Sequence, residues 1–129
     1  MSDRSVISSP DAPPAIGPYS QGIKAGGFVF LSGQIPIVGH TGKIVQGMIK
    51  EQTEQVILNI QGLLATENLN LGDVVKTTVF LASMGEFSAM NEIYSKYFTT
   101  APPARSTVEV SRLPRDVRVE IEVIARVRE

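Results

Sequence analysis

Cysteine and tryptophan are absent from the 129 residues, and histidine occurs once, at His40. Without cysteine there is no disulfide, no thiolate metal site and no catalytic thiol. A single imidazole excludes any mechanism that needs two, and leaves a Ser-His-Asp triad with one candidate base. Twelve basic and 13 acidic side chains leave a net charge of −1, so no concentrated positive surface exists for phosphate, and nucleic acid is not expected as a partner. No run approaches the roughly 20 apolar residues that span a bilayer, so no membrane partner is expected. The opening Met1-Ser2-Asp3-Arg4-Ser5 lacks the apolar stretch of a secretory signal. No Gly-rich phosphate loop and no HExxH pair is present, which removes support for nucleotide and zinc chemistry. The expectation is a soluble cytoplasmic protein, or a mitochondrial one in a eukaryotic source, with no metal and no cofactor.

What is present is material for a core. Hydrophobic residues make up 43% of the chain and charged residues 19%. With a mass of 13.9 kDa, residues 1–129 read as a single domain. Residues 5–8 have the pattern of a short edge strand, and 9–18, with four prolines and a glycine, that of an irregular loop. Residues 20–25 and 28–33 are strand candidates parted by Gly26-Gly27, a hairpin signal. Residues 36–47, with Pro36, Gly39, Gly42 and Gly47, read as a second loop.

The period then changes. Ile49, Val56, Ile57, Ile60, Leu63 and Leu64 follow a helical stripe, predicting a helix from about 50 to 68. Residues 73–82 are β-rich. Ser83 and Glu86 match a capping box that starts a second helix, with Phe87, Met90, Tyr94, Tyr97 and Phe98 on its apolar face. Residues 104–110 and 117–127 are the last strands. The order β-β-β-α-β-α-β-β predicts an α+β fold: a mixed sheet with two helices packed on one face. In the strand at 73–82, Val75, Val79 and Leu81 are assigned to one face and Val74 and Phe80 to the other. In the last strand, Glu120, Glu122, Ile124 and Arg126 oppose Val119, Ile121, Val123, Ala125 and Val127. Two helices cover only one face of a sheet. The second face, mixing apolar groups with charges, fits either a subunit interface or scattered surface hydrophobes.

Few residues could carry chemistry. Arg105 opens a strand that reads as mostly buried, where an arginine needs an anion. That anion is either a ligand carboxylate or a structural partner such as Glu109, Glu120 or Glu122. Glu120 is a solvated strand residue, a partner for Arg105, or, in an occluded cleft, a proton carrier near neutrality. Gly33, in Ser32-Gly33-Gln34, either ends a strand or lets backbone N–H groups approach a ligand. Asn91 lies on the apolar stripe of the second helix, where it anchors a loop or lines a pocket. Tyr19, in a constrained loop, packs or rims a site. His40, in Gly39-His40-Thr41-Gly42, belongs to an exposed turn with no second site-like group beside it.

Five segments taken together resemble the RidA (YjgF/YER057c/UK114) family of reactive-intermediate deaminases. They are Ala15 to Gln21, Leu31 to Pro36, Val75 to Phe80, Asn91 to Tyr94, and Pro103 to Ser106 with Glu120-Ile121-Glu122. Each is weak alone; in register they cover nearly the whole chain. The resemblance implies a chorismate-mutase-like fold and a homotrimer with sites between subunits. It implies cofactor-free hydrolysis of 2-enamino and 2-imino acids, such as 2-aminoacrylate and 2-iminobutanoate, to 2-oxo acids and ammonia. The family's substrate-carboxylate arginine falls on Arg105 and its water-orienting glutamate on Glu120. Tyr19, Ser32, Gly33 and Asn91 match residues lining its cleft. Thr107, also placed in the substrate-binding set, departs from the family: most close relatives carry cysteine there. Threonine keeps the size and a hydroxyl, so thiol-dependent properties lapse while the hydrolytic groups remain. A trimer that only binds or senses small 2-oxo or amino acids, or regulates a partner protein, is the competing expectation. Glu120 counts against it, since a pure carboxylate binder gains nothing from a second negative charge.

Overall fold

Gly26 and Gly27 take φ of +59° and +84°, the left-handed pair that a two-residue hairpin turn requires. They close the turn between β2 (Gly22–Ala25) and β3 (Phe28–Gln34), with Ala25 paired to Phe28. The computed structural model describes residues 3–128. Before this hairpin lies β1 (Ser5–Ile7); after it come β4 (Ile37–Val38), β5 (Lys43–Ile44) and the helix α1 (Ile49–Ala65). Then follow β6 (Val74–Leu81), α2 (Phe87–Tyr97), β7 (Ala104–Glu109) and β8 (Val119–Arg126).

Six strands form one mixed sheet in the order β1-β2-β3-β8-β6-β7. β8 is antiparallel to both β3 and β6, and β6 is parallel to β7. Each parallel relation is bridged by a helix, α1 between β3 and β6 and α2 between β6 and β7, as parallel strands require. Both helices lie on one face. Most of a protein helix's stability comes from packing its apolar face, and α1 packs its own on the sheet. Val56, Ile57, Ile60, Leu63 and Leu64 are fully buried and share one core with Val79, Leu81, Val119, Ile121 and Val123 of the sheet. Among the described residues no helix is long and apolar enough to cross a membrane.

The expected α+β architecture therefore holds, with local corrections. Residues 36–47 are not all loop: β4 and β5 form a small hairpin, tied down by buried Asn59, whose amide donates to Ile35 O (3.1 Å) and Ile37 O (2.9 Å). α1 stops at Ala65 rather than 68; Asn68 adopts φ +57°, and Asn70 accepts from Gly72 N at 2.9 Å to start a short 3₁₀ turn, Leu71–Asp73. Ser83 and Glu86 do not form a capping box. The Ser83 hydroxyl accepts from Gly85 N in a 3₁₀ turn leading into α2, while the Glu86 carboxylate binds Arg118 at 3.0 Å. The assigned faces of Val74 and Val75 are exchanged. A bulge between Val74 and Lys76 turns Val74 into the core with Val79 and Leu81 and leaves Val75 exposed. β7 is not mostly buried. It is the edge strand, and its residues are half-buried or exposed.

The sheet face away from the helices is uncovered. Val6, Ile23, Phe30 and Ile124 stand side by side across four strands by register. Phe28 and Phe30 keep 42% and 44% of their surface exposed, and Val6 and Val108 are exposed too. Charged Glu122 and Arg126 interrupt this apolar field, matching the mixed face read from the alternation of β8.

Candidate functional site

The proline-rich segment before β2 is held by one side chain. Gln21 is buried; its amide nitrogen donates to Ser9 O, Ala12 O and Pro13 O (3.2, 3.2 and 2.6 Å), and its oxygen accepts from Ser9 N at 2.7 Å. A glutamine that satisfies so many backbone groups replaces the ladder that prolines cannot form. It positions Tyr19, two residues earlier, whose hydroxyl accepts from Ile16 N at 3.3 Å. Tyr19 is exposed and, with Gly33, Ile16 and Pro114, lines a depression of about 410 Å³. Gln21 was not among the residues singled out from the sequence. Its signal was a long polar side chain at the entry to a strand, just after a proline-rich loop.

At the end of β3 the pairing with β8 is irregular between Leu31 and Gln34, so Ser32 and Gly33 leave the regular ladder. Ser32 Oγ donates to Ser20 O at 2.6 Å, so it offers a ligand only its lone pairs. Gly33 has a steric role that its sequence context did not reveal. A Cβ there would lie 2.0 Å from Glu120 Oε2: the glutamate carboxylate occupies the space a side chain would take. Glu120 is half-buried, and burial, then the neighbouring Glu122 charge, pushes its carboxyl above the usual range. Tyr19, Ser32, Gly33 and Glu120 thus belong to one region.

A second region lies on the other face. Arg105 pairs in register with Thr77, and Thr107 with Val79; Thr77 and Val79 are fully buried toward the helices. Arg105 and Thr107 therefore also face the helices. Arg105 Nη1 donates to Asn91 Oδ1 at 2.6 Å, and its guanidinium lies over the rings of Tyr94 (4.7 Å) and Phe87 (5.5 Å). Among the described residues no carboxylate forms an ion pair with it, so the structural partnership with Glu109, Glu120 or Glu122 weighed from the sequence is absent. Glu109 instead accepts from Met84 N at 2.6 Å. Asn91, Tyr94, Pro102, Pro103 and Arg105 line an open depression of about 430 Å³. The Thr107 hydroxyl is buried with no hydrogen-bond partner.

Glu120 pairs in register with Phe80, next to Val79, and so stands on the face opposite Arg105. Within one chain the sheet separates the two groups. His40 lines neither the Arg105 depression nor the one beside Gly33; it borders a third with Gly39 and Pro10, which Tyr19 and Ser20 also line. Among the described residues no three acidic or histidine side chains are placed to hold a metal ion.

Arg105, with Asn91 and an open depression in front, can bind a planar carboxylate. Glu120, in a partly desolvated position, can exchange protons nearer neutrality than an ordinary carboxylate. Comparison with known proteins gives these groups a setting. The family model described as Endoribonuclease L-PSP matches residues 9–127. A RutC family protein of Pyrococcus horikoshii is 55% identical over 122 residues, covering 95% of this chain and 97% of that protein. The chloroplastic Reactive Intermediate Deaminase A of Arabidopsis thaliana is 47% identical over 122 residues, 95% of this chain and 65% of its own length. The crystal structure of E. coli TdcF with bound serine superposes with a TM-score of 0.91 at 41% identity, covering 97% of this chain and 99% of that one.

Proposed function

The chain belongs to the YjgF/RidA family that the Endoribonuclease L-PSP model describes, and from that premise we propose that it is a hydrolytic deaminase of small 2-enamino and 2-imino acids, acting without a cofactor in clefts between three copies of itself. The observation that carries this reading is Arg105: a half-buried guanidinium fixed by Asn91 and two rings, with no protein carboxylate paired to it. Such a charge calls for an anionic ligand. A 2-imino acid supplies a carboxylate beside an electrophilic carbon.

The chemistry follows from that placement. An enamine is first protonated at carbon to give the imine. Arg105 holds the carboxylate by parallel hydrogen bonds, which orients the C=N unit. Water adds to the imine carbon while Glu120 accepts its proton. That proton passes to nitrogen to give the carbinolamine; the hydroxyl proton is then carried by Glu120 to the same nitrogen as the C–N bond breaks, so ammonia leaves and a 2-oxo acid remains. The substrate is already reactive in water, so positioning and one proton carrier suffice. Because Arg105 and Glu120 lie on opposite faces of one sheet, the reading requires a second copy to bring its Glu120 to this Arg105. The uncovered apolar face with Phe28, Phe30 and Val108 supports that association. Tyr19, Ser32 and Gly33 would then line the cleft from the glutamate side, and Asn91 and Thr107 from the arginine side.

A non-catalytic binder of small amino or 2-oxo acids is the second reading, and bound serine in the TdcF structure favours it. Ribonuclease activity has little physical support, since a net charge of −1 offers no basic surface to phosphates. The proposed compartment is the cytoplasm; the Arabidopsis relative is named chloroplastic, so an organelle is the alternative in a eukaryotic source. The test couples a threonine dehydratase to this protein and follows 2-oxobutanoate formation above the spontaneous rate, with calorimetric titration of 2-oxobutanoate alongside. Acceleration that Glu120→Gln abolishes while binding persists is the expected result. Binding with no acceleration by the wild type would favour the second reading, and light scattering at a single 13.9 kDa chain mass would overturn the shared cleft.

A further inference from the structure

Phe87, Asn91 and Tyr94 stand at positions i, i+4 and i+7 of α2, one face of the helix. From the sequence this face reads as core, with Asn91 a lone polar intrusion. In the structure all three touch one cation. The Arg105 guanidinium lies 4.7 Å from the Tyr94 ring centre and 5.5 Å from that of Phe87, and Asn91 Oδ1 takes a proton of Nη1. Tyr94 is itself fixed. Its hydroxyl is 2.8 Å from Thr77 Oγ1, and Thr77 is fully buried and directly opposite Arg105 in the β6–β7 register. Phe98 stacks on the Tyr94 ring with centroids 4.4 Å apart. The links close a circuit from the Arg105 backbone through Thr77 and Tyr94 back to the Arg105 guanidinium. Burial raises the Tyr94 hydroxyl above its usual range, so the ring stays neutral beside the Arg105 charge.

We propose that Tyr94, tethered by Thr77, is a positioning residue that fixes the plane of the Arg105 guanidinium, so that Arg105 presents an edge only, and the site selects planar carboxylates over uncharged carboxamides. The inference rests on the reading of Arg105 as the carboxylate clamp. The guanidinium carbon lies 4.7 Å from the Tyr94 ring centre, and Asn91 takes one nitrogen; the nitrogens left over match the two oxygens of a carboxylate. Unlike a freely rotating arginine, it meets the ligand already oriented, which spares ordering entropy on binding.

The test uses the full chain with 2-oxobutanoate and 2-oxobutanamide as probes, and NMR of arginine-labelled protein, with the Arg105 signal assigned by its loss in Arg105→Lys. In the wild type, rotation of the Arg105 guanidinium should be slow. Tyr94→Leu should free that rotation and weaken 2-oxobutanoate binding about tenfold, the loss expected when a desolvated cation–π contact is removed. Carboxamide binding should stay within about twofold, and Tyr94→Phe, which keeps the ring but loses the Thr77 tether, should fall between Tyr94→Leu and the wild type in both readouts. Met90→Ala, a fully buried α2 residue outside the circuit, controls for lost stability and should leave both readouts unchanged. Fast Arg105 rotation in the wild type overturns the proposal, as does equal weakening of carboxylate and carboxamide in Tyr94→Leu. Slow rotation in the wild type that Tyr94→Leu releases, with no 2-oxobutanoate binding by either, sustains the positioning role and refutes the clamp reading instead.

Discussion

Replacing Gly33 by alanine isolates the placement of Glu120 from its chemistry. The new methyl would lie 2.0 Å from Oε2, 2.8 Å from Cδ and 3.0 Å from Cγ of Glu120. To restore an ordinary 3.4 Å contact, the oxygen must retreat by about 1.4 Å. The cost to the fold should be small. Gly33 is not among the glycines with positive φ, so alanine is not strained there, and the group in its way is the end of a flexible side chain. Reduced freedom of the unfolded chain offsets part of the cost by about 0.4–1 kcal/mol, and the melting temperature should move by less than about 5 °C. The reaction should respond far more. A misplacement of about 1 Å at a reacting group costs on the order of 100-fold in rate, so acceleration in the coupled dehydratase assay should fall by about that factor. Calorimetric binding of 2-oxobutanoate, held from Arg105, should change only a few-fold. Adding Glu120→Gln to Gly33→Ala should cost little more, since both remove the same function. A folded Gly33→Ala protein with wild-type acceleration would refute the assignment of this carboxylate to the reaction.

The shared cleft predicts complementation. Arg105→Ala and Glu120→Gln proteins, each inactive alone, should regain activity when unfolded and refolded together, because about a quarter of randomly assembled clefts then hold both intact groups; no recovery would place both groups in one chain's site. The raised carboxyl of Glu120 predicts the pH dependence of stability. A carboxylate whose folded pKa lies above its unfolded value of 4.5 lowers stability as pH rises through that window, so Glu120→Gln should melt higher than wild type at neutral pH. That advantage should vanish as the pH falls below the ordinary carboxylate range, and an advantage that grows in acid would contradict it. Thr107→Val removes a buried hydroxyl without a partner, and thermal unfolding should show a gain of roughly 1 kcal/mol; a loss would mean that the hydroxyl is bonded in the assembled protein.

The hairpin at Gly26-Gly27, both helices and the two-faced last strand were legible because each is written in local chemistry or in a clean period. Other features depend on register or on neighbours distant in sequence. Val74 and Val75 are chemically identical, so only the bulge against β8 decides which enters the core. Arg105-Ser106-Thr107-Val108-Glu109 has no period that separates an edge strand from an inner one, and the edge position follows from sheet order. The β4–β5 hairpin has two residues per strand, too few for a pattern, and depends on Asn59 from α1. Of the candidate site, the individual residues could be named, and the resemblance did most of that work. Their distribution over two faces could not be foreseen, since it follows from Arg105 pairing with Thr77 and Glu120 with Phe80. Tyr94 reads as a core aromatic from its spacing; its contact with Arg105 is visible only once β7 lies beside β6.

The sheet acts as a partition between the two half-sites, and that insulates them from each other during evolution. Within a chain, a substitution beside Arg105 repacks α2 and the β7 edge, whereas one beside Glu120 disturbs the β3 bulge and the proline-rich loop. Sites so separated, with no shared partners, should contribute additively to the stability of the fold. Selection can therefore alter the surroundings of Arg105 on one side while those of Glu120 on the other stay untouched. A substitution at Thr107, which faces the helices beside Arg105, would be a change of that confined kind.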